Sequence, residues 1–297
     1  MFVLAHLSDP HLAPLPRPRL SELASKRLTG YLNWLRSRRA IHRADVLARI
    51  VGDLHVQAPD HVAVLGDLAN ISLPKEFETA AMWLRQLGSP QDVTLVPGNH
   101  DLYVRAASGE AERAWGDFMR GDNDGPVHFP FLRRRGPVSL VGLSTAVPTA
   151  PFMATGALGP AQLSELAQIL SHLAREETFR VVLIHHPPRS RPENHRKRLI
   201  DGEAFCRVIA EHGADLVLHG HNHVHSLTWL DGPHTRIPAL GVPSASASAA
   251  GGDDPAAYNL YRIGGKPGAW QCEAVSRGLR QGENEVVELS RRVLLPA

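Results

Sequence analysis

Six short apolar segments, each followed by polar residues, most strongly limit the folds that this sequence can adopt. The segments are rich in β-branched residues and are apolar almost without a break. Such segments are typical of strands buried on both faces, as in a mainly parallel sheet that helices cover. The predicted strands span residues 2–9, 61–67, 92–100, 138–144, 180–186 and 214–221.

Helical patterns lie between these strands. Apolar residues recur at three- and four-residue spacing in 74–88 and in 159–177, and Pro74 and Gly88 fit the start and end of the first helix. Alternating strands and helices predict an α/β fold. After residue 226 the chain returns to short strand-like segments, and the small-residue stretch 244–254 predicts a mobile loop.

The composition predicts an ordinary globular protein. The chain has 297 residues, of which 43% are apolar and 21% charged, and we expect one domain over 1–297. Cys206 and Cys272 are too few for a disulfide framework and suit a reducing cytosol. No apolar run reaches about 18 residues, and the N-terminus lacks the basic segment of a signal peptide. A cytoplasmic location is therefore expected.

The polar residues that follow the strands form the candidate site. Open α/β sheets bind ligands beyond the carboxyl ends of their strands, so segments far apart in sequence can meet there. Carboxylates, imidazoles and an asparagine carbonyl suit zinc, iron or manganese better than magnesium or calcium. The residues at the strand ends are Asp9, His11, Asp67, Asn99, His100, Asp101, His185, His221 and His223.

Several further histidines lie near these positions in the sequence. In the segment LVLHGHNHVH (216–225) we expect structural roles for His219 and His225, because the turn after Gly220 interrupts the strand alternation. His186 is expected to be a hydrogen-bonding neighbour of the site. His6 and His42 are expected to be core or surface residues.

The chain resembles the calcineurin-like metallophosphoesterase family in five motifs that span residues 9–223. The motifs are DPH (9–11), GD (66–67), GNHD (98–101), HHPP (185–188) and GHNH (220–223). The resemblance implies a four-layer α/β/β/α sandwich that holds two divalent ions of manganese, iron or zinc, with Asp67 bridging them. It also implies the other ligands, which are Asp9, His11 and His223 for one metal and Asn99, His185 and His221 for the other.

The same resemblance implies hydrolysis of a phosphodiester. Two metals ~3.5–4 Å apart would hold a bridging hydroxide that attacks phosphorus. His100 would protonate the leaving oxygen, and Asp101 would orient His100. The segments GDLAN and GNHD differ from the motifs of serine/threonine protein phosphatases, and no tyrosine follows Asp67 as in purple acid phosphatases. The pattern is closer to bacterial enzymes that act on cyclic nucleotides or glycerophosphodiesters.

A basic amphipathic insertion at 14–45 separates the first two strands. Residues 17–43 carry eight Lys or Arg residues and one carboxylate, and an apolar stripe runs through 20–35. The insertion is a scaffold helix, a cap that presents cations to an anionic substrate, or a helix that lies on a membrane surface. The candidate substrate-binding residues are Asn70, which replaces an acidic residue of many relatives, and Arg27 and Arg38.

The expected partner is an anionic phosphoester. A membrane-surface helix would instead favour a pyrophosphate hydrolase that acts on a UDP-diacylglucosamine, with peripheral membrane contact. A non-catalytic scaffold is a further alternative, but all seven ligand positions are present. Nucleic acid is not expected, because the aromatic content is 6% and no stacking platform is evident. The metal, the substrate and the oligomeric state stay open.

Overall fold

The computed structural model describes residues 1–123, 125–189, 195–248, 254–280, 282 and 285–296. The described strands form two six-stranded mixed sheets. The strands are β1 Phe2–Leu7, β2 His61–Val64, β3 Val93–Leu95, β4 Phe131–Arg135, β5 Val138–Gly142, β6 Phe179–Leu183, β7 Leu216–His219, β8 Ser226–Leu230, β9 Ile237–Gly241, β10 Ala257–Lys266, β11 Ala269–Leu279 and β12 Val286–Leu295. The order is β12-β11-β10-β1-β2-β3 in the first sheet and β4-β5-β6-β7-β9-β8 in the second.

Helices occupy most of the connections between the strands. They are α1 Arg27–Asn33, a π-helical turn Trp34–Arg38, α2 Arg39–Ile41, α3 Ala44–Gln57, α4 Pro74–Leu87, α5 Glu110–Trp115, α6 Gly159–Leu173 and α7 Gly202–His212. Short 3₁₀ turns lie at Leu20–Leu23, Arg105–Ala107 and Gly116–Phe118. Among the described helices, none has both the length and the hydropathy that crossing a bilayer requires.

The two sheets pack face to face between two layers of helices. Alternate residues of β6 show this arrangement, because Val181 and Leu183 join the core that the two sheets share, whereas Val182 joins a second core with α6 and α7. Apolar residues of α3 and α4, such as Ile50 and Phe77, pack with the first sheet. The predicted four-layer α/β/β/α sandwich is therefore confirmed.

The six predicted strands are all present, but each ends earlier than predicted. The polar residues at their carboxyl ends belong to loops rather than to the ladders. The sequence patterns did not predict α3, α5, α7, β4 or β12. The charged residues within β4 and β12 obscure strand periodicity, because both lie at sheet edges where one flank of the strand is open to solvent.

The expected mobile loop at 244–254 is wrong for its first five residues. Ser244 and Ser246 are buried, and Ser244 pairs with Ser8 in a parallel bridge that extends β1. The Ala245 N–H donates to the Ser8 carbonyl at 2.9 Å. Small side chains let this segment approach β1 closely, which local composition alone does not reveal. Residues 249–253 lie outside the described part of the chain.

The basic insertion is helical, but it is broken into short pieces, and α3 already begins within its predicted range. Its buried face centres on Trp34, which packs with Leu15, Ile71 and Leu73. At Gly30 the insertion lies very close to Ile71, because an added Cβ would come within 2.7 Å of the Ile71 side chain. This contact explains why a residue of low helix propensity stands inside the helix.

The packing of Trp34 predicts how firmly the insertion is held. Replacing Trp34 with Ala should remove roughly 3–5 kcal/mol of local packing and let the insertion open. Trypsin should then cleave within 17–43 faster than in the wild-type protein, since this range is rich in Lys and Arg. Leu35→Ala is the matched control, because Leu35 is 46% exposed. Equal cleavage rates for the two variants would contradict the packing argument.

Candidate metal centre

Five loops meet at one edge of the two sheets. β1, β2 and β3 run parallel in the first sheet, as do β5, β6 and β7 in the second, so the loops that follow their carboxyl ends can converge. The structure brings together all seven residues that were expected to bind metal. They are Asp9 and His11 after β1, Asp67 after β2, Asn99 after β3, His185 after β6, and His221 and His223 after β7.

The ligand atoms form two clusters. One consists of Asp9, His11 and His223 and the other of Asp67, His185 and His221, and the ligand atoms within each lie within 4.8 Å of one another. In the second cluster, His185 Nε2 lies 3.4 Å from Asp67 Oδ2 and 3.2 Å from Asn99 Oδ1.

Asp67 connects the two clusters. The same Oδ2 atom lies 3.4 Å from His185 Nε2 and 3.8 Å from His11 Nε2, which belongs to the first cluster. Its other oxygen, Oδ1, accepts the His100 N–H at 2.7 Å. This hydrogen bond fixes the carboxylate at the point where a bridging ligand would be required.

The backbone at the site is strained. Five of the seven ligand residues have a positive φ, which non-glycine residues rarely adopt and which is often found at functional sites. Gly220 permits the approach of two loops, because a Cβ there would lie 2.6 Å from Asp9 Oδ2. The residues with positive φ are Asp9 (53°), His11 (36°), Asp67 (56°), His221 (69°) and His223 (56°).

The electrostatics of the site suit cations. Burial alone would raise the pKa of Asp67, but His185 and His100 hold it well below its usual range. Burial lowers the pKa of His185, and Asp67 outweighs that effect and raises it to about 10. A divalent cation bound by both residues would displace this proton. Burial also holds the pKa of His11 and His221 well below the ordinary value, so both rings are neutral, as metal ligands must be.

Hydrogen bonds from Nδ1 orient two of the imidazole rings at the site. Nδ1 of His11 donates to the Ala69 carbonyl at 3.1 Å, and Nδ1 of His185 donates to the Leu65 carbonyl at 2.6 Å. Each bond orients a ring and leaves Nε2 for a ligand. Among the described residues, His11 Nε2 and His221 Nε2 are buried without a hydrogen-bond partner, whereas Asp9 Oδ1 lies 3.2 Å from His223 Nε2. The residues therefore fit two divalent cations, and unpaired buried atoms would otherwise be costly.

The structure gives Asp101 a different role from the expected one. Its carboxylate accepts the backbone N–H groups of Asp67, Ala69 and Gly98 at 2.8–2.9 Å, so it holds the loops after β2 and β3 together. Burial, reinforced by Asp67, raises the pKa of Asp101 to about 7. The expectation that Asp101 orients the His100 ring is corrected accordingly, because its two oxygens are engaged by backbone donors.

His100 is oriented by other groups. Nδ1 must be the donor in its 2.5 Å contact with the Asn70 carbonyl, because a carbonyl can only accept. The ring stacks on Tyr103 with centroids 5.3 Å apart and meets His11 edge-on at 5.0 Å. Burial and the neighbouring Arg38 lower the pKa of His100 to about 3. His100 lines the cavity, and among the described residues no hydrogen bond engages its Nε2.

Of the three candidate substrate-binding residues, Arg38 alone lines the cleft. Its Nη1 lies 3.2 Å from His100 Nδ1, in a cavity of about 370 Å³ that also borders Asp67 and Asn99. Arg27 is corrected, because its guanidinium donates to the carbonyls of Ile71 and Ser72.

Asn70 is corrected as well. Its side chain is buried and donates from Nδ2 to the Leu12 carbonyl at 3.0 Å. It reaches the site through its backbone carbonyl, which orients His100. The side chain that replaces the acidic residue of many relatives therefore joins two loops and does not line the cavity.

Several histidines near the site were expected to have structural roles. His186 is a hydrogen-bonding neighbour as expected, since Nδ1 lies 2.6 Å from Thr145 Oγ1 and Nε2 donates to the Ala154 carbonyl. His6 is buried beside Tyr261. The position of His42 at the site was missed: its ring lies tilted against His11 with centroids 4.4 Å apart, and it lines the cavity. Its position four residues after Arg38 could have indicated this role, because residues four apart lie on the same face of a helix.

Comparison with known proteins defines the class. A model of the calcineurin-like phosphoesterase family matches residues 2–225, so the chain belongs to this family. Membership and the two ligand clusters support a hydrolase that acts on phosphate esters.

Relatives with more specific descriptions are distant. A "probable cyclic nucleotide phosphodiesterase" from Synechococcus sp. is 28% identical over 179 residues, a match that spans 59% of this chain and 62% of that protein. A dimetal phosphatase from Danio rerio has a TM-score of 0.61 at 14% identity, covering 97% of this chain and 98% of its own. A purple acid phosphatase from yellow lupin (Lupinus luteus) has a TM-score of 0.61 at 11% identity, covering 97% and 52%. These structural matches show the fold.

The two clusters predict metal content. His223→Ala should lower the metal content of purified protein from about two ions to about one per chain, because it removes a ligand from the first cluster only. His225→Ala is the matched control, since His225 lies two residues away and its N–H pairs with Asp254. Elemental analysis by plasma mass spectrometry measures both variants. Retention of two ions by His223→Ala would contradict the assignment.

Proposed function

We propose that this chain is a dinuclear metal-dependent phosphodiesterase. The observation that carries the proposal is the position of Asp67 Oδ2 between the two ligand clusters, beside a cavity that Arg38 lines. When bound, two divalent cations of manganese, iron or zinc would activate water and neutralise the charge of the phosphoryl group.

The side chains around the cavity suit the transfer of a phosphoryl group. Arg38 supplies a fixed positive charge where an anionic substrate would bind. A bound anion would offset the effect of Arg38 and raise the pKa of His100, which favours the protonated ring that a general acid needs. Asn70 and Tyr103 hold that ring in place through a hydrogen bond and a stacking contact.

The cavity supports a small substrate. Its volume of about 370 Å³ lies in the range of small-molecule sites. The insertion forms one wall with Arg38 and His42, and Phe152 and Met153 form another. Lys26 ties the two walls together, since its ammonium donates to Thr149 Oγ1 at 2.7 Å and to the Met153 carbonyl at 3.0 Å. A cyclic nucleotide or a glycerophosphodiester is the substrate class we propose, in line with the description of the Synechococcus relative.

The test uses bis(p-nitrophenyl) phosphate with the manganese-loaded protein. Asp67→Ala and Asn99→Ala should abolish hydrolysis, because each removes a metal ligand. His100→Ala should keep both metals and lose ~10²–10⁴-fold in kcat, the usual contribution of a general acid. Arg36→Ala is the control, because Arg36 is exposed and lies outside the cavity wall. A wild-type protein that carries two metals but hydrolyses neither diesters nor monoesters would favour the non-catalytic scaffold instead.

A second candidate function follows from the outer face of the insertion. Leu28, Leu32 and Leu35 are 44–47% exposed and recur on one helical face, and Arg36 and Arg39 are exposed beside them. Apolar and cationic residues combined in this way are typical of helices that lie on an anionic lipid surface. This face supports a lipid-linked pyrophosphate, such as a UDP-diacylglucosamine, as the alternative substrate.

Liposome co-sedimentation distinguishes the two candidates. If the substrate is lipid-linked, the protein should sediment with vesicles of phosphatidylglycerol and less with phosphatidylcholine. The triple variant Leu28→Gln, Leu32→Gln, Leu35→Gln should then lose most of this binding, as should Arg36→Glu combined with Arg39→Glu. Val56→Gln controls for the loss of an exposed apolar residue elsewhere, since Val56 is 79% exposed on α3. No sedimentation of the wild-type protein with either vesicle would leave the soluble phosphodiester as the substrate.

A further inference from the structure

The proposed mechanism leaves one residue of the cavity without a role. His42 ends the insertion, is 3% exposed and contributes to the wall of the cavity. Its ring lies tilted against His11 with centroids 4.4 Å apart and meets His223 nearly edge-on at 5.6 Å. It belongs to neither ligand cluster, so it stands beside the first cluster without being part of it.

The backbone holds His42 firmly in this position. His42 and Ala247 form an antiparallel bridge. On either side of it, the Arg43 N–H donates to the Ser246 carbonyl at 3.0 Å and the Ser248 N–H donates to the Ile41 carbonyl at 2.8 Å. The ring is therefore placed by a short ladder and not by a flexible loop.

The hydrogen bonds of the ring indicate which nitrogen carries the proton. Ser244 Oγ donates its one proton to the Asp9 carbonyl at 2.6 Å. Ser246 Oγ lies 2.9 Å from His42 Nδ1, and Ser244 Oγ lies 3.4 Å from the same nitrogen. Because Ser244 gives its proton to Asp9, the Ser246 hydroxyl is the one that can donate to Nδ1. Nε2 then carries the hydrogen, and among the described residues it has no hydrogen-bond partner.

The helical turn before His42 brings Arg38 to the same face. The His42 N–H donates to the Arg38 carbonyl at 2.9 Å, which is the spacing of neighbours on one side of a helix. Trp34–Arg38 forms a π-helical turn, a rare conformation that is frequent at functional sites. Both side chains line the same cavity.

We propose that His42 is a substrate-contacting residue whose Nε2–H donates a hydrogen bond to a phosphoryl oxygen, beside the charge of Arg38. Together the two residues would form an anion-binding pair that the insertion adds to the metal centre. The inference rests on the proposed function, because the ligand is taken to be a phosphoryl group. Ser246 would be a positioning residue that acts through His42.

The test measures the binding of inorganic phosphate to the manganese-loaded protein by calorimetry, alongside metal content and hydrolysis of bis(p-nitrophenyl) phosphate. His42→Phe keeps an aromatic ring against His11 but removes the hydrogen-bond donor. We expect phosphate to bind about tenfold more weakly, as for the loss of a hydrogen bond to a charged group, and KM to rise by a similar factor with two metals retained. His42→Gln should recover part of the affinity, because its amide can donate. His128→Phe is the matched control on an exposed histidine.

Two results would overturn the inference. One is wild-type phosphate affinity in His42→Phe with both metals bound. The other is loss of metal from this variant, which would make His42 a support for His11 and His223. If His42→Phe does not fold, Ser246→Ala decides, since it should weaken phosphate binding about threefold through loss of the fixed tautomer, and an unchanged affinity would exclude the role. Failure of the proposed function would appear separately, as a wild-type protein that binds phosphate but hydrolyses no phosphoester.

Discussion

The burial of the Asp67 carboxylate is the constraint on which the site depends. An ionised carboxylate that is 2% exposed would be costly unless opposite charges and hydrogen bonds compensate it. His185 at 3.4 Å and the His100 N–H at 2.7 Å provide part of that compensation. The remaining unpaired atoms, His11 Nε2 and His221 Nε2, lie around the same position. Divalent cations would therefore balance the arrangement, and its strained backbone persists because the two packed sheets hold the loops in place.

The sequence predicted the part of this centre that arises from strand ends. Apolar runs followed by Asp, Asn or His placed the seven candidate ligands at strand ends, and parallel strands bring those ends to one edge whatever lies between them. Their assignment to two metals came from the resemblance to the family. The roles of Asp101, Asn70 and Arg27 were not predictable in this way. Each of these side chains binds backbone groups of a loop that is distant in sequence, and such contacts exist only once the loops are folded.

The insertion shows a second limit of prediction from sequence. Its apolar stripe and its charge were visible in the sequence, but some residues of the stripe are buried and others are exposed to solvent. Trp34 is buried against Ile71, whereas Leu28 and Leu32 face outward. A periodicity of apolar residues shows that a helix has a face, and tertiary packing decides whether that face is covered. Because some of its apolar residues are buried and others exposed, the same insertion is compatible with a cap over the cleft and with a lipid-binding surface.

The small residues at 244–248 connect the metal centre to the insertion. Ser244 binds the Asp9 carbonyl, and Ser246 and Ser248 bind the end of the insertion, so one short segment fixes both the first metal ligand and the wall of the cavity. Larger side chains at Ser244 or Ser246 would separate these backbones, because both positions are almost fully buried. The orientation of His42 and Arg38 relative to the metal centre is therefore set by this segment more directly than by the apolar face of the insertion. Composition suggested a flexible loop here, whereas burial makes the same small residues a rigid link between the insertion and β1.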